Sequence, residues 1–252
     1  MQLIWITGGS SGIGFATAKK FLDNNWTVVI SSSNIEKLNN AKERMGKITK
    51  VENLHVLKCD ISNKSEVEKI VLLIENKIGK INIAILNAAA YSPNKNQDFD
   101  LDNYELLIDV NLKGTLYCIN SLKNVMKGRD NTIAIVSSPI GYRGWPTSGA
   151  YGMTKAAQLN LSESLFFDFK KIKIKIRVIN PGFIDTEATR LNSFKMPFLK
   201  SATFAADQIY KGLVFKKRFE IYFPFLIVYF VKVLRILPYR WYFYLWNKLG
   251  KF

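Results

Sequence analysis

Seven short apolar runs, rich in β-branched residues, recur along the first 224 residues and are separated by longer segments with helical periodicity. The runs are QLIWIT, WTVVIS, NLHVLK, INIAIL, NTIAIV, KIKIRVIN and FEIYF. Strands that alternate with helices in this way form a parallel sheet whose crossover helices cover both faces. The pattern therefore predicts an α/β fold in three layers, with a doubly wound, parallel, seven-stranded sheet in one domain over residues 1–224.

The composition restricts the classes of function that the chain can have. A chain of 252 residues, of which 48% are apolar, is long enough to bury a core. Its two cysteines, Cys59 and Cys118, and its single histidine, His55, provide neither a disulfide framework nor the ligands of a zinc site. We therefore expect no metal.

The net charge of +16 arises from 36 Lys and Arg residues against 20 Asp and Glu residues. Such a surface attracts nucleic acid, anionic lipid or anionic small molecules alike. The lysines are dispersed and form no recognisable nucleic-acid-binding motif, so we expect no nucleic-acid partner. The segment MQLIWITGG enters an apolar run without the basic region or cleavage site of a signal peptide, which predicts a cytoplasmic protein.

A glycine-rich segment, ITGGSSGIGFATAKKF, joins the first predicted strand to the first predicted helix. Gly8, Gly12 and Gly14 allow backbone amides and the positive end of the helix to approach a pyrophosphate, which a β-carbon would obstruct. The spacing is TGxxxGxG and not GxGxxG, and no lysine occupies the Walker position. We expect a phosphate-binding turn here.

A tyrosine precedes a lysine by four residues in three segments, YGMTK, YSPNK and YLWNK. Only the first has a suitable setting, because Tyr151 lies thirteen residues after Ser138, at the end of NTIAIVSS, and opens a helical segment. Tyr151 and Lys155 then share one helix face beside the carboxyl end of a strand, where open α/β sheets bind ligands. In YSPNK, Pro93 opposes a helix, and YLWNK lies in an aromatic tail.

The segments TGGSSGIG, NAA, DVNLKG, VSS, YGMTK and NPGFIDT occur in this order within residues 1–224. Together they resemble the short-chain dehydrogenase/reductase family, whose fold is the parallel Rossmann sheet. The resemblance implies an NAD(P)-dependent oxidoreductase that moves a hydride between the nicotinamide and the carbon of an alcohol or ketone. It also implies a homodimer or homotetramer.

The resemblance implies roles for four residues. Tyr151 would exchange a proton with the substrate oxygen, and a nearby lysine ammonium and the positive nicotinamide ring would favour the phenolate. Ser138 would donate a hydrogen bond to the same oxygen. Lys155 would also hold the nicotinamide ribose, and Asn111 would support a proton relay through water to Lys155.

The resemblance also implies a set of cofactor contacts at the carboxyl ends of the strands. They are Gly8, Ser10, Ser11, Gly12, Ile13, Gly14, Ser32, Ser33, Asn34, Asp60, Ile61, Asn87, Ala88, Ala89, Val110, Tyr151, Lys155, Pro181, Gly182, Ile184 and Thr186. The sequence departs from the family's NNAG segment, since it has LNAA with Leu86 and Ala89. Small residues remain, so we expect tighter packing near the cofactor and retained binding.

The residues after the second strand bear on the choice of cofactor. An acid there would bind the ribose 2′-hydroxyl of NAD, but the chain has Ser32, Ser33 and Asn34 and so does not repel a 2′-phosphate. The arginine that NADP-preferring members often have is also absent, which leaves hydroxyls, amides and Lys37 to hold the phosphate. The sequence favours NADP(H) over NAD(H).

By resemblance, substrate specificity depends on the segment after NPGFIDT and on side chains around YRGWPTSG. The expected substrate contacts, besides Ser138, are Tyr142, Trp145, Phe194, Met196, Phe198 and Leu199. They would form an apolar pocket for a lipid-like or steroid-like alcohol or ketone, or would simply pack on the core.

Residues 225–252 form an aromatic and basic tail whose longest apolar run is about a dozen residues, shorter than the roughly 20 of a spanning helix. Aromatic residues interleaved with cations suit the headgroup region, which predicts a peripheral protein at the inner face of a membrane. The tail could instead cover the substrate cleft or form an oligomer interface.

A nucleotide-binding scaffold or redox sensor is the alternative function for the chain. The presence of all four catalytic residue types disfavours it.

Overall fold

The computed structural model describes residues 1–92, 99–192 and 196–249, so that Phe194, an expected substrate contact, lies outside the described residues. The strands are β1 (Leu3–Thr7), β2 (Thr27–Ser32), β3 (Leu54–Lys58), β4 (Ile81–Leu86), β5 (Asn131–Val136), β6 (Ile174–Pro181), β7 (Ile184–Asp185), β8 (Lys200–Ser201) and β9 (Glu220–Phe223). The helices are α1 (Gly12–Leu22), α2 (Ile35–Gly46), α3 (Lys64–Leu73), α4 (Leu101–Leu107), α5 (Gly114–Met126), α6 (Gly149–Lys171), α7 (Ala202–Tyr210), α8 (Phe225–Ile236) and α9 (Tyr239–Leu249).

The main sheet of the described chain has seven strands in the order β3-β2-β1-β4-β5-β6-β9. Every neighbouring pair is parallel. The predicted seven-stranded parallel sheet is therefore confirmed. The strand order reverses between β1 and β4, and open α/β sheets bind ligands in the crevice at such a switch point.

Both faces of the sheet are covered by helices, which explains why the strands read as continuous apolar runs. Ile4 and Ile6 of β1 belong to a core that includes α1, α2 and α7. Leu3 and Trp5, which point to the opposite face, belong to a second core with α3, α5 and α6. The predicted three-layer α/β/α architecture is confirmed.

The C-terminal tail, predicted only as an extension, forms two helices at the β9 end of the sheet. Ile227, Val228 and Val231 of α8 are buried against Val178 of β6. Arg143, from the segment after β5, donates through Nη1 to the carbonyl oxygens of Leu234, Arg235 and Leu237 at 3.2, 2.8 and 2.9 Å. The last carbonyls of a helix have few partners within the helix, and the Leu234 carbonyl also accepts from the Leu237 amide at 3.3 Å, so Arg143 fixes the turn into α9. Among the described residues, no helix is long and apolar enough to cross a membrane.

Candidate active site

A cavity of about 1290 Å³ lies along the carboxyl ends of the strands. The predicted cofactor residues that line it are Gly8, Ser10, Ser11, Gly12, Ile13, Ser32, Ser33, Asn34, Asp60, Ile61, Asn87, Ala88, Ala89, Val110, Tyr151, Lys155, Pro181, Gly182, Ile184 and Thr186. One end of the cavity is formed by the segments that follow β1, β2 and β3. The other end is formed by the segments that follow β5 and β6 and by α8 and α9.

Gly14 does not line the cavity but lies directly beneath the glycine-rich turn. A β-carbon on Gly14 would lie 2.3 Å from the carbonyl oxygen of Gly8, closer than two unbonded atoms can approach. Gly8 itself has a φ of +65°, which favours glycine. These two glycines therefore allow the turn to fold tightly over the N-terminus of α1.

Asn87, at the end of β4, fixes the other side of this turn. Its Nδ2 donates to the carbonyl oxygens of Thr7 and Gly8 at 3.1 and 3.0 Å. The Thr7 hydroxyl accepts from the backbone amides of Asn87 and Ala88, each at 3.0 Å. Ser11, the N-cap of α1, makes no side-chain capping bond, so the first amides of this helix remain available for an anion on the cavity side.

The segments after β2 and β3 form the far end of the cavity. Ser32, Ser33, Asn34 and Lys37 line it, and the Asn34 side chain caps α2 by accepting from the Lys37 amide at 2.9 Å. The acid at this end is Asp60, whose Oδ1 already accepts from the Ser62 amide and hydroxyl at 2.9 and 2.7 Å. The segment directly after β2 thus presents neutral polar groups and one cation.

The Tyr151 and Lys155 side chains lie together near the start of α6, as the sequence predicted. Lys155 is 2% exposed, and its Nζ lies 5.3 Å from the centroid of the Tyr151 ring. Nζ donates to the carbonyl oxygen of Val136 at 2.9 Å and to Oε1 of Gln158 at 3.0 Å. Burial lowers the pKa of Lys155 to about 7. The lysine is therefore held by neutral acceptors in a site that disfavours its charge.

The environment of Tyr151 differs from the expectation that its phenolate is favoured. Burial, and secondarily the neighbouring Tyr91, raise the pKa of Tyr151. The positive charge of Lys155 was expected to lower the pKa of Tyr151. Burial lowers the pKa of Lys155 itself to about 7, so that near neutral pH part of the lysine is uncharged. The protein groups alone thus keep the Tyr151 phenol protonated.

Asn111 is fully buried and does not line the cavity. Its side chain is occupied by the Ala90 backbone, since Oδ1 accepts from the amide at 2.8 Å and Nδ2 donates to the carbonyl at 3.0 Å. The Asn111 carbonyl oxygen accepts from the Thr115 hydroxyl at 2.6 Å and from Nε2 of Gln158 at 2.8 Å. The Gln158 amide contacts both Asn111 and Lys155. The water relay that the resemblance implies between these two residues stays a prediction.

Ser138 lies on the cavity wall next to the end of β5. Its Oγ accepts from the Ile140 amide at 3.4 Å, a long bond that leaves the hydroxyl proton free for a ligand. The preceding Ser137 points the other way and donates to the Lys155 carbonyl oxygen at 2.9 Å. Ser138, Tyr151 and Lys155 therefore share one cavity, as the spacing predicted.

The apolar wall of the cavity differs from the prediction. Trp145 lines the cavity, but Tyr142, Met196, Phe198 and Leu199 are not among its lining residues in the described chain. The Tyr142 hydroxyl is hydrogen-bonded instead to Glu220 and Asn180, which draws its ring into the core beneath α8. Met196 contacts Asn192 through its sulfur, and Phe198 and Leu199 are exposed.

The lining residues that sequence reasoning missed include the apolar and aromatic side chains of Tyr91, Phe183, Ile227, Val231 and Trp246. Three of them belong to α8 and α9, and Trp246 packs on Trp145 with ring centroids 5.3 Å apart. Tyr91 belongs to the rejected YSPNK segment, whose Lys95 lies outside the described residues. Its ring packs edge-on against Tyr151 at 4.8 Å, and its hydroxyl donates to Asn192.

Comparison with known proteins identifies the family. A family model described as short chain dehydrogenase matches residues 2–195. The chain belongs to this family. An uncharacterized oxidoreductase of Staphylococcus aureus is 30% identical over 185 residues, which cover 73% of this chain and 78% of that protein. A second uncharacterized oxidoreductase, of Staphylococcus epidermidis, is 30% identical over 190 residues, which cover 75% of this chain and 80% of that protein.

Solved structures of short-chain dehydrogenases share this fold. The structure of ElxO with NADP bound matches with a TM-score of 0.79 and 26% identity, over 88% of this chain and 97% of that chain. A short-chain dehydrogenase/reductase from Burkholderia phymatum in complex with NAD matches with a TM-score of 0.80 and 19% identity, over 92% of each chain, and supports the fold alone. This short-chain dehydrogenase is thus an oxidoreductase of a family that generally acts on CH–OH and C=O groups.

The cavity of this short-chain dehydrogenase fits a dinucleotide on two structural grounds. The glycine-rich turn brings the uncapped N-terminus of α1 to the cavity wall, where β-carbons on Gly8 and Gly14 would collide with neighbouring backbone. The same cavity extends from Ser33 after β2 to Tyr151 on α6, so it can hold both ends of an elongated ligand.

Proposed function

We propose that this short-chain dehydrogenase transfers a hydride between NADP(H) and a hydrophobic alcohol or ketone. The observation that carries the proposal is the single cavity that joins the glycine-rich turn to Ser138, Tyr151 and Lys155. The membership of the family supports the oxidoreductase chemistry. The likeness to ElxO with NADP bound supports the nicotinamide cofactor.

The preference for NADP(H) over NAD(H) is supported by the residues after β2. Ser32, Ser33 and Asn34 offer hydroxyl and amide groups, and Lys37 adds a positive charge on the same cavity wall. A carboxylate in this segment would repel a 2′-phosphate, and this segment has none before Glu36, which does not line the cavity.

The chain's own residues account for the proton that accompanies the hydride. NADP(H), when bound, supplies or accepts the hydride. Because burial raises the pKa of Tyr151, its phenol stays protonated and is suited to donate to the oxygen of a carbonyl under reduction. Ser138 has a free hydroxyl proton for the same oxygen. Lys155 lies next to Tyr151, and because its pKa is about 7 it carries its proton only in part near neutral pH.

The substrate class is supported by the apolar residues that line the same cavity. Trp145, Phe183, Ile227, Val231 and Trp246 present apolar surface to the cavity. Burial of an apolar ligand against such a wall is favourable in proportion to its apolar area, at roughly 25 cal/mol per Å². We therefore favour a lipid-like or steroid-like alcohol or ketone over a polar metabolite.

The test is a screen of apolar ketones, aldehydes and secondary alcohols with NADPH, NADH and their oxidised forms. With a compound that the wild type turns over, Tyr151→Phe is expected to lower kcat by at least about a hundredfold, because the proton donor is lost. The Kd of NADPH, measured by its fluorescence, should stay within a fewfold of the wild-type value. Tyr117→Phe, on α5 outside the cavity lining, is the matched control and should remain active. Wild-type turnover by Tyr151→Phe would contradict the mechanism.

We further propose that the C-terminal helices contact an anionic membrane surface. The outer faces of α8 and α9 expose large apolar residues, although the inner face of α8 is also apolar and buried. The exposed residues are Phe225, Leu226, Tyr229, Phe230, Val233, Ile236, Tyr239, Trp241, Phe243 and Tyr244. A helix that is apolar all round is normally covered on every side.

The charge of this region supports lipid as the covering partner. Five basic residues and no acidic residue follow Glu220 in the sequence. Aromatic rings with interspersed cations suit the headgroup region of an anionic bilayer. Because Ile227, Val231 and Trp246 of the same helices line the cavity, this contact would place the substrate wall next to the bilayer. A location at the inner face of the membrane, and a homodimer or homotetramer, stay predictions.

The membrane contact is tested by co-sedimentation with vesicles of phosphatidylglycerol and phosphatidylcholine, against vesicles of phosphatidylcholine alone. The double variant Phe230→Glu and Phe243→Glu should lose binding, whereas Phe167→Glu, at a 69% exposed phenylalanine of α6, should bind like wild type. Binding should weaken as salt increases. Unchanged binding by the double variant would overturn the proposal, and a change of oligomeric state instead would identify an interface between protein subunits.

A further inference from the structure

Both faces of α8 are apolar, so the composition of the helix does not show which face packs on the protein. The face that packs on the sheet consists of the aliphatic residues Ile227, Val228, Val231 and Leu234. The exposed face carries mostly larger side chains, namely Phe225, Leu226, Tyr229, Phe230, Val233 and Ile236. Since the free energy of burial grows with apolar area, area alone does not favour the observed orientation. The rotation of α8 about its axis therefore depends on a further contact.

Lys232 is the cation of α8 that turns back towards the sheet. Its Nζ donates to Oε2 of Glu220, at the start of β9. The same Nζ lies 4.3 Å from the centroid of the Tyr222 ring and 5.5 Å from the centroid of the Tyr142 ring. An ammonium within about 6 Å of the centre of an aromatic face is attracted to the ring. The end of this lysine side chain thus contacts one carboxylate and two rings of the protein core.

The Glu220 carboxylate is itself held by two other parts of the fold. Its Oε1 accepts from the Tyr142 hydroxyl, in the segment after β5, and from Nδ2 of Asn180, on β6, at 2.8 Å in the second case. Nδ2 of Asn180 also donates to the Tyr142 hydroxyl at 2.8 Å. Burial, and secondarily the contact with Glu220, raise the pKa of Tyr142, so the phenol keeps the proton that it donates. Glu220 therefore offers Lys232 a fixed partner.

The place of Lys232 along α8 relates this contact to the substrate wall. Lys232 directly follows Val231, which lines the cavity, and lies one turn after Val228, which is fully buried. Successive residues of an α-helix are rotated by about 100°. A rotation of α8 by one residue would bring Phe230 or Lys232 to the place of Val231, and it would separate Lys232 from Glu220. The contact is thus made in one rotation of the helix.

The other cation of α8, Arg235, does not constrain the rotation in this way. Its guanidinium lies 3.9 Å from the Glu163 carboxylate of α6, and the two side chains are 53% and 51% exposed. Exposed pairs of this kind contribute little, because solvent screens them and long side chains lose freedom when they pair. The side chains of Lys232 and Glu220 are 33% and 21% exposed, so their attraction is screened less.

We propose that Glu220 and Lys232 are positioning residues for the substrate wall, because their contact selects the rotation of α8 that brings Ile227 and Val231 to the cavity. In coiled coils, a single polar residue in an apolar interface fixes the register of the helices in the same way. This inference rests on the proposed function for its consequence in turnover. When the contact is removed, the aromatic residues of the outer face compete for the place of Val231, and the fit to an apolar substrate is lost.

The test measures which face of α8 is covered, by the rate at which a maleimide labels a cysteine introduced on each face. Val231→Cys places the thiol on the inner face and Phe230→Cys places it on the outer face. In solution, without vesicles, Phe230→Cys should label at least about tenfold faster than Val231→Cys. Addition of Lys232→Met or Glu220→Gln, each of which removes one charge at similar length, should reduce this ratio to less than about threefold.

Lys232→Arg and Arg235→Met are the matched controls. Lys232→Arg keeps the charge, and Arg235→Met removes an equal charge from the same helix one turn further on, so both should keep the labelling ratio of the parent chain. The chain without an introduced cysteine gives the background of Cys59 and Cys118, which are both buried. If Lys232→Met and Glu220→Gln lower the melting temperature but leave the ratio unchanged, the pair is only structural and the proposal is wrong.

Turnover distinguishes positioning of the substrate from a role in the reaction itself. With an apolar compound that the wild type turns over, Lys232→Met should raise KM at least about fivefold and leave kcat and the Kd of NADPH within about twofold, because Ser138, Tyr151 and Lys155 keep their places. A fall in kcat at unchanged KM would overturn the proposal. The labelling needs no substrate, so a failure to find turnover would count against the proposed function and not against the role of Glu220 and Lys232.

Discussion

Replacement of Lys37 by methionine tests the assignment of the 2′-phosphate site. Lys37 lies in the first turn of α2 and is exposed on the cavity wall, close to the Asn34 cap. It is the cation among the described residues that line this end of the cavity. The 2′-phosphate is the group that distinguishes NADPH from NADH, so the change should weaken NADPH selectively.

The exposure of Lys37 sets the size of the effect. Two unit charges 4 Å apart in water interact by about 1 kcal/mol, and a phosphate monoester carries close to two charges near neutral pH. The loss should therefore be about 1 to 2 kcal/mol, or about fivefold to thirtyfold in the Kd of NADPH. Because the pair is exposed to solvent, the effect should shrink as ionic strength rises.

The assay is a fluorescence titration with NADPH and NADH at low and high salt, on the wild type, Lys37→Met and Lys42→Met. Lys42 is also exposed on α2 but does not line the cavity, so its variant controls for the change in net charge. An equal loss of NADPH and NADH affinity would refute the assignment. An equal effect of Lys42→Met would show that the contribution comes from the general field of the protein.

Three other changes address the cofactor, the buried lysine and the C-terminal helices. Ser32→Asp should shift preference from NADPH towards NADH in the same titration, because a carboxylate repels a 2′-phosphate and accepts from a 2′-hydroxyl. The pKa of Lys155 is about 7 in the folded state and 10.5, its ordinary value, in the unfolded state. Between these two values the unfolded state binds more protons than the folded state. The free energy of unfolding should therefore rise with pH in this window. Denaturant unfolding should show this rise in the wild type and not in Lys155→Met. Arg143→Met removes three hydrogen bonds at the end of α8 and should speed hydrogen exchange in α8 and α9, with little change in α1.

The sheet could be predicted because its signal is local. The central strands are buried on both faces, so they have to be apolar along almost their whole length, as LIWIT of β1 is. The pairing of Tyr151 with Lys155 is also local, since helical geometry brings residues four apart onto one face. Residue spacing alone was enough to place this pair at the end of β5.

The substrate wall could not be predicted because it is made by contacts between distant segments. Tyr142 has the apolar character of a lining residue, but Asn180 and Glu220, 38 and 78 residues away, bind its hydroxyl and turn it into the core. Ile227 and Trp246 reach the cavity only because α8 packs beside β6 and Arg143 fixes the turn into α9. No periodicity in the tail distinguishes the residues that face the cavity from those that face outwards, since both faces are apolar.

The packing of the tail bears on two roles that the sequence left as alternatives. A lid and the proposed membrane contact need not exclude each other, because α8 has one stripe of residues at the cavity and another that is exposed. Val231 lines the cavity while Phe230, its neighbour in sequence, is 56% exposed on the outer face. On α9, Trp246 packs on Trp145 while Tyr244 is exposed. A surface that binds the outer stripe would therefore act on the same helices that close the substrate wall, and an apolar substrate would have a short path from that surface to Tyr151.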